Sequence, residues 1–299
     1  MTHTDHPPIC DYEGSDYRTR FWENQGREYE DLAERIAIRQ LLPPTGQRLL
    51  EIGSGFGRLV DLYQGYSQIV LLDYSKSMLR EAKDRLGTNK YTYVAADIYR
   101  MPLADRVVDA ISMVRVMHHI ANVPAALEHI YRVLCPGGTF LLEFASKRHL
   151  KSILRRALRR QDWSPYDLAP VEFVPLNFDF HPRWMRSRLQ AQGFAIERTR
   201  AVSLFRVPFL KRTLPPRLLA AADGALQWTG SVWPCAPSLF LRARRPAASG
   251  EPGLAADLFV CPSCGGGQWE TTPEKMHCTS CQTRWQIDDG IYDFKTPLD

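Results

Sequence analysis

The chain has 299 residues, of which 44 % are apolar and 24 % charged, the make-up of a soluble globular protein with room for one large α/β domain and a smaller module. It has no run of eighteen apolar residues, and the start, Met1-Thr2-His3-Thr4-Asp5-His6, lacks the charged and apolar regions of a secretory signal. A membrane-spanning or secreted class is therefore not expected, and a cytoplasmic one is. The formal net charge of +5 is too small to imply a nucleic-acid partner by itself, but the basic residues cluster at 147–160 and 242–245.

Residues 1–11 read as disordered. The aromatics Tyr12, Tyr17, Phe21 and Trp22, with Arg18 and Arg20, then precede a helix expected from about Gly26 to Leu42. Tyr29, Leu32, Ala33 and Ile36 form its apolar stripe, and Pro43-Pro44 ends it. Leu49, Leu50 and Ile52 are a short apolar run of the kind that a parallel sheet buries on both faces, and the glycines that follow permit a tight turn and close backbone approach to a ligand. The glycines stand at 53, 55 and 57, with Arg58 where the dinucleotide fingerprint has its last glycine, and no Gly-Lys-Ser/Thr follows to cradle a phosphate. The pattern Glu51-x-Gly53-x-Gly55-x-Gly57 instead resembles motif I of the class I S-adenosylmethionine-dependent methyltransferases. An acid beside the turn suits a ligand that carries a sulfonium and an ammonium and no phosphate.

The resemblance continues along the chain. A helix is expected to about Tyr63, then a second buried strand, Ile69–Leu72, ending in Asp73. A carboxylate at that tip can accept both ribose hydroxyls. Ser75 caps a helix that turns Met78, Leu79, Ala82 and Leu86 inward. The strand Tyr91–Ala96 ends in Asp97-Ile98, where the family contacts the adenine, and Met101-Pro102-Leu103 leads to a fourth strand beginning at Val107 and ending near Met117-His118-His119-Ile120. The resemblance thus assigns Glu51, Gly53, Gly55 and Gly57 to the methionyl end, Asp73 to the ribose, and Asp97 with Ile98 to the adenine, with Ser54 and Tyr74 as further cofactor-binding residues. Arg115 would meet the cofactor carboxylate or an anionic acceptor, or form an ion pair at the strand edge. His118 and His119 stand where methyl acceptors bind in this family, as candidate general bases or as structural residues. For the N-terminal aromatics two roles are open: closure over the cofactor, or packing at the sheet edge.

A helix starting at Pro124 and ending at Pro136-Gly137-Gly138 leads to a fifth strand, Thr139–Phe144. The run R-V-L-x-P-G-G-T-F at 132–140 is most similar to the family branch that includes ubiquinone and menaquinone biosynthesis C-methyltransferases. Residues 147–160 read as a basic amphipathic helix, with Leu150, Ile153, Leu154, Ala157 and Leu158 on one stripe and seven Lys/Arg around it. Such a helix can cover the pocket with a solvated face, meet an anionic membrane, or bind nucleic-acid phosphates. Residues 161–181, aromatic and proline-rich, read as an ordered loop lining an apolar acceptor pocket. A helix at about 182–192, a sixth strand (Phe194–Thr199), a helical crossover over 201–236 and a seventh strand (Ser238–Arg242) complete the expected domain.

Residues 246–253 are a linker by composition. Beyond it, Cys261-x-x-Cys264 and Cys278-x-x-Cys281, thirteen residues apart, have the spacing of a structural Zn2+ site with no open position. The surrounding sequence resembles the small zinc-ribbon proteins that activate RNA and protein methyltransferases, although Tyr292-Asp293-Phe294 departs from their aliphatic end.

The expected architecture is α/β. It has a Rossmann-like seven-stranded methyltransferase sheet of order 3-2-1-4-5-7-6 over residues 1–246, with insertions at 146–193 and 201–236, a linker at 247–257, and a zinc ribbon over 258–299. The expected activity is methyl transfer from S-adenosylmethionine to a small or lipid-like apolar acceptor. Two rival readings stand beside it: RNA methylation with the ribbon as recognition arm, and a cofactor-binding scaffold that meets a partner protein through the ribbon.

Overall fold

A computed structural model describes residues 7–15, 19, 22, 25–247 and 253–298. Tyr17, Arg18, Arg20 and Phe21 of the expected N-terminal cover, and 248–252 of the linker, lie outside the described residues. The strands run β1 (Gly46–Ile52), β2 (Tyr66–Asp73), β3 (Tyr91–Ala95), β4 (Val108–Met113), β5 (Leu134–Ala145), β6 (Val171–Val174), β7 (Asn177–Asp179), β8 (Ala195–Val202) and β9 (Ser238–Arg244). The helices are α1 (Glu28–Leu41), α2 (Lys76–Leu86), α3 (Val123–Val133), α4 (Leu150–Ala157), α5 (Pro182–Ala191), α6 (Pro208–Thr213) and α7 (Pro216–Leu226).

The central sheet follows from the strands' twofold periodicity. Leu50, Ile52, Val70, Leu72 and Val94 join one buried cluster with α3 and α5, while Leu49, Ile69, Leu71 and Tyr93 join another with α1, α2 and α7. Both faces are thus covered, which is why the strands read as unbroken apolar runs. The order β3-β2-β1-β4-β5-β9-β8 places β9 antiparallel between β5 and β8, the arrangement expected for the seven strands. Ser75 caps α2 as expected, its Oγ accepting from Met78 N at 3.3 Å, and Asn122 caps α3, its Oδ1 accepting from Ala125 N at 3.2 Å. After the glycine turn, however, only a short 3-10 turn forms, Val60–Tyr63. Gly57 at a φ of +72° and the start of β2 at Tyr66 leave too few residues for a stable helix.

Two insertions also differ from expectation. The basic helix is confined to Leu150–Ala157, because His149 is extended and its ring accepts from Ser152 N. The aromatic loop contains the hairpin β6/β7.

The sheet also extends beyond the seven strands expected. Strands β10 (Trp269–Thr271), β11 (Lys275–Cys278), β12 (Arg284–Asp288) and β13 (Ile291–Leu298) continue it, so that among the described residues eleven strands form one sheet rather than seven. The junction is a parallel pairing of β13 with β3, Ile291 opposite Tyr93 and Asp293 opposite Ala95. Asp289 and Gly290, with φ of +50° and +73°, form the tight turn that returns β12 into β13. Phe294 packs among Phe259, Trp269 and Trp285, within the same buried cluster as Val94. Among the described residues no helix is long and apolar enough to cross a membrane.

Candidate active site

The carboxyl ends of β1, β2 and β4 open onto a cavity lined by Gly53, Gly55, Asp73, Tyr74, Ile98 and Arg115, with Pro8, Ile9, Cys10 and Tyr12 from the N-terminal segment on its remaining side. Open α/β sheets bind ligands in this crevice. Gly53 has a φ of +68°, and an added Cβ would lie 2.1 Å from Val116 Cγ2, so the turn excludes any side chain there. Gly55, at +51°, has nothing within 4 Å of that position: its bare backbone faces the open cavity. Gly57 lines neither this cavity nor the recess beside it, and serves the turn.

Asp73 is held rigidly. Its Oδ2 accepts from Gly55 N at 2.7 Å and its Oδ1 from Ser75 N at 2.9 Å. The Tyr74 N–H also acts on the carboxylate, which with about four acceptor positions keeps capacity for a ligand. Burial raises its pKa above the usual carboxylate value against the pull of these N–H groups. A contiguous recess is lined by Trp22, Glu51, Ser54, Arg58 and Arg115. Here Glu51 Oε2 and Ser54 Oγ are buried without a hydrogen-bond partner among the described residues, and burial pushes the Glu51 carboxyl up to about 8. A ligand ammonium would meet Oε2 of Glu51, whose Oε1 accepts from the Tyr63 hydroxyl at 3.3 Å, and a small acceptor group would meet the Ser54 hydroxyl. The residues therefore fit the methionyl end of S-adenosylmethionine.

A network that sequence reasoning missed braces this recess. Glu34 of α1 is fully buried and bonded to both Arg58, at 2.8 Å, and Arg115. Burial alone would raise its pKa, but Arg115 and Arg58 outweigh that and hold it low. Both guanidinium groups face the Trp22 ring, at 3.8 Å for Arg58 and 4.9 Å for Arg115. The available signal was a glutamate on the buried stripe of α1, four residues from Ile38 and seven from Leu41. Arg115 itself has a φ of +61°, rare for a side-chain-bearing residue, and its N–H donates to buried Glu143 at 2.8 Å.

The remaining candidates divide. Ile98 and Tyr74 line the cavity, whereas the Asp97 Oδ1 atom accepts from Tyr99 N at 2.8 Å and caps the turn 98–100. His118 does not line the cavity; burial, His119 and Arg115 lower its pKa to about 3, which keeps it neutral. His119 does line it. Its Nδ1 lies 2.8 Å from Leu176 O in the β6/β7 turn, and its Nε2 lies 3.1 Å from the Tyr12 hydroxyl. A carbonyl only accepts, so Nδ1 carries the proton and Nε2 offers a lone pair to Tyr12.

Away from this cavity, the four Sγ atoms of Cys261, Cys264, Cys278 and Cys281 lie within 4.8 Å of one another. The separations Cys261–Cys281 and Cys264–Cys278 are 3.7 and 3.6 Å. Zn–S bonds of about 2.3 Å make the edge of a tetrahedron about 3.8 Å, so the donor set and its spacing fit a closed zinc site.

Residues 50–142 match the family model described as a methyltransferase domain. The chain is 30 % identical over 154 residues to the ubiquinone/menaquinone biosynthesis C-methyltransferase UbiE of Pseudomonas savastanoi pv. phaseolicola, over 48 % of this chain and 56 % of that protein. It thus spans about half the length of the curated relatives it matches. Among solved structures it is similar to a chain of the complex between the Haloferax volcanii Trm112 methyltransferase activator and a methyltransferase, with 16 % identity and a TM-score of 0.51, over 74 % of this chain and 91 % of that one. It is also similar to the [4+2]-cyclase SpnF, at 21 % identity and a TM-score of 0.51, over 76 % and 87 % of the two chains. At these identities the structural matches establish the fold, and a cyclase among them means that the fold does not dictate the reaction.

Proposed function

We propose that this chain, whose residues 50–142 match a methyltransferase domain, transfers a methyl group from S-adenosylmethionine to a small or lipid-like acceptor. The observation that carries the reading is Asp73, fixed by Gly55 N and Ser75 N at the edge of the cavity with acceptor capacity to spare. Bound there, S-adenosylmethionine supplies an electrophilic sulfonium methyl. Asp73 grips the ribose, Glu51 and Ser54 take the amino-acid end, and Ile98 and Tyr74 line the adenine side. Tyr12 and residues 8–10 exclude water, and catalysis rests on position and desolvation. An acceptor that must shed a proton can give it to His119 Nε2 only by displacing the Tyr12 hydroxyl.

The likeness to UbiE, by name a quinone-biosynthesis C-methyltransferase, supports the lipid-like class of acceptor. The β6/β7 hairpin, which touches His119, carries exposed Phe173 and Val174 and is suited to such a molecule. The cysteine-bearing strands stand on the β3 side of the sheet, whereas His119 follows β4, so a ribbon acting as an RNA clamp would sit away from the candidate base. We read the four cysteines as a structural Zn2+ site that keeps β13 folded against β3.

The test is to incubate the purified protein and methyl-labelled S-adenosylmethionine with lysate from a strain lacking the gene, then partition the label. Label in the organic extract is expected. Label in RNA would overturn the lipid-like acceptor, and cofactor binding with no transfer would favour the scaffold.

A further inference from the structure

We propose that the face built from α4, α6 and the 232–233 segment docks onto an anionic lipid bilayer. Helix α4 is turned opposite to an ordinary surface helix. Its buried residue is Ser152, whose Oγ donates to His149 O at 2.9 Å, while Leu150, Leu154 and Leu158, successive at four-residue spacing, are each more than half exposed. The stripe is not isolated. Leu150 N donates to Cys235 O at 3.3 Å, which places α4 beside Val232 and Trp233, 78 % and 59 % exposed. Lys151 of α4 shares a groove with Arg206, Lys211 and Arg212, which brings in α6 and its Phe209, 70 % exposed.

The composition of this face selects its partner. Basic side chains alternate with the apolar ones: Lys151, Arg155, Arg156, Arg159 and Arg160 along α4 and just after it, and Arg206, Lys211, Arg212 and Arg217 around α6. The neighbouring carboxylates cancel only part of this charge. Buried Glu30 pairs with Lys211 at 2.7 Å and lies 3.7 Å from Arg206, and Asp162 and Asp179 share a groove with Arg155 and Arg160, which leaves the basic groups in excess. Leucine, phenylalanine and tryptophan at the surface within a ring of Lys and Arg match the boundary of headgroups and acyl chains in an anionic membrane. A second copy would set two cationic faces against each other. Nucleic acid would use the charges but leave the three leucines, Phe209 and Val232 in water.

The surface stands whether or not the chain transfers methyl groups, so its test does not depend on turnover. The full chain is sedimented with vesicles of phosphatidylcholine mixed with phosphatidylserine, and with phosphatidylcholine alone. Binding to the mixed vesicles should be at least about tenfold tighter and should weaken with salt. The double variant Leu154→Glu/Phe209→Glu, at exposed positions, should lose that binding while keeping the melting temperature and cofactor affinity. No binding to the mixed vesicles, or equal binding by the double variant, overturns the proposal. So does a dimer in light scattering that the double variant dissolves without any vesicle binding. Binding of a ribonucleic acid oligomer that the double variant retains, again without vesicle binding, would assign the face to RNA.

Discussion

Lys76 Nζ, in the first turn of α2, lies 3.1 Å from Asp293 Oδ2 on β13, so an ion pair ties the C-terminal strand to the helix that begins just after Asp73. Lys76 also reaches Asp288 at 3.2 Å, and β13 shields the β3 edge that would otherwise present unpaired backbone groups. The cysteine module and the cofactor cavity are thus neighbours on one sheet.

Metal removal should therefore be felt beyond the module. A chelator, or Cys278→Ser, is expected to lower the main unfolding transition, by about 2–4 °C for each kcal/mol lost in a domain of this size. Differential scanning calorimetry with and without chelator measures it. A main transition indifferent to the metal would show that β13 holds without it.

Asp73→Asn should weaken S-adenosylmethionine binding by more than about tenfold, because a charge-assisted contact to the ribose is lost. Titration calorimetry decides this, and unchanged affinity would remove Asp73 from the ribose site.

Glu51 makes stability depend on pH. Burial raises its pKa from the ordinary 4.5 to about 8, so the folded chain holds a proton that the unfolded chain has released. The contribution is full below about pH 4.5 and is lost as pH rises toward about 8. Glu51→Gln should flatten the melting temperature across that window. A ligand ammonium at Glu51 would favour the carboxylate, so cofactor binding near pH 7 should release protons, read from calorimetry in buffers of different ionisation enthalpy. Equal heats after buffer correction would place the ammonium elsewhere.

Glu34 has the opposite sign. Its pKa is held low, so its contribution is present at neutral pH and disappears as pH falls through the carboxylate range. Glu34→Ala would leave Arg58 and Arg115 without their buried partner and should cost about 3–5 kcal/mol in urea denaturation. A loss below about 1 kcal/mol would mean that water or Trp22 compensates the two arginines.

Much of the site was legible locally. The turn Glu51–Gly57, Asp73 at a strand end and the paired Cys-x-x-Cys motifs are contiguous segments whose backbone requirements and donor chemistry are written into neighbouring residues. So were the apolar runs of β1 and β2, because successive residues point to opposite faces and apolar residues at successive positions ask for burial of both. Glu34 was not legible, since its partners Arg58 and Arg115 are 24 and 81 residues away and periodicity does not name a partner. Nor was the outward turn of the α4 leucines. An amphipathic stripe states that one side is apolar, and only packing states which side meets the protein. The joining of β13 to β3 was equally beyond reach, because strand pairing is a choice among edges that local sequence does not rank. Short-range steric and chemical constraints, which the sequence carries, set the seven strands of the central sheet, the glycine turn and the ligand-bearing residue types. Tertiary structure alone decided which edge the last strand covers, which acid neutralises which arginine and which helix face is left to solvent, because those depend on contacts between segments far apart in the chain.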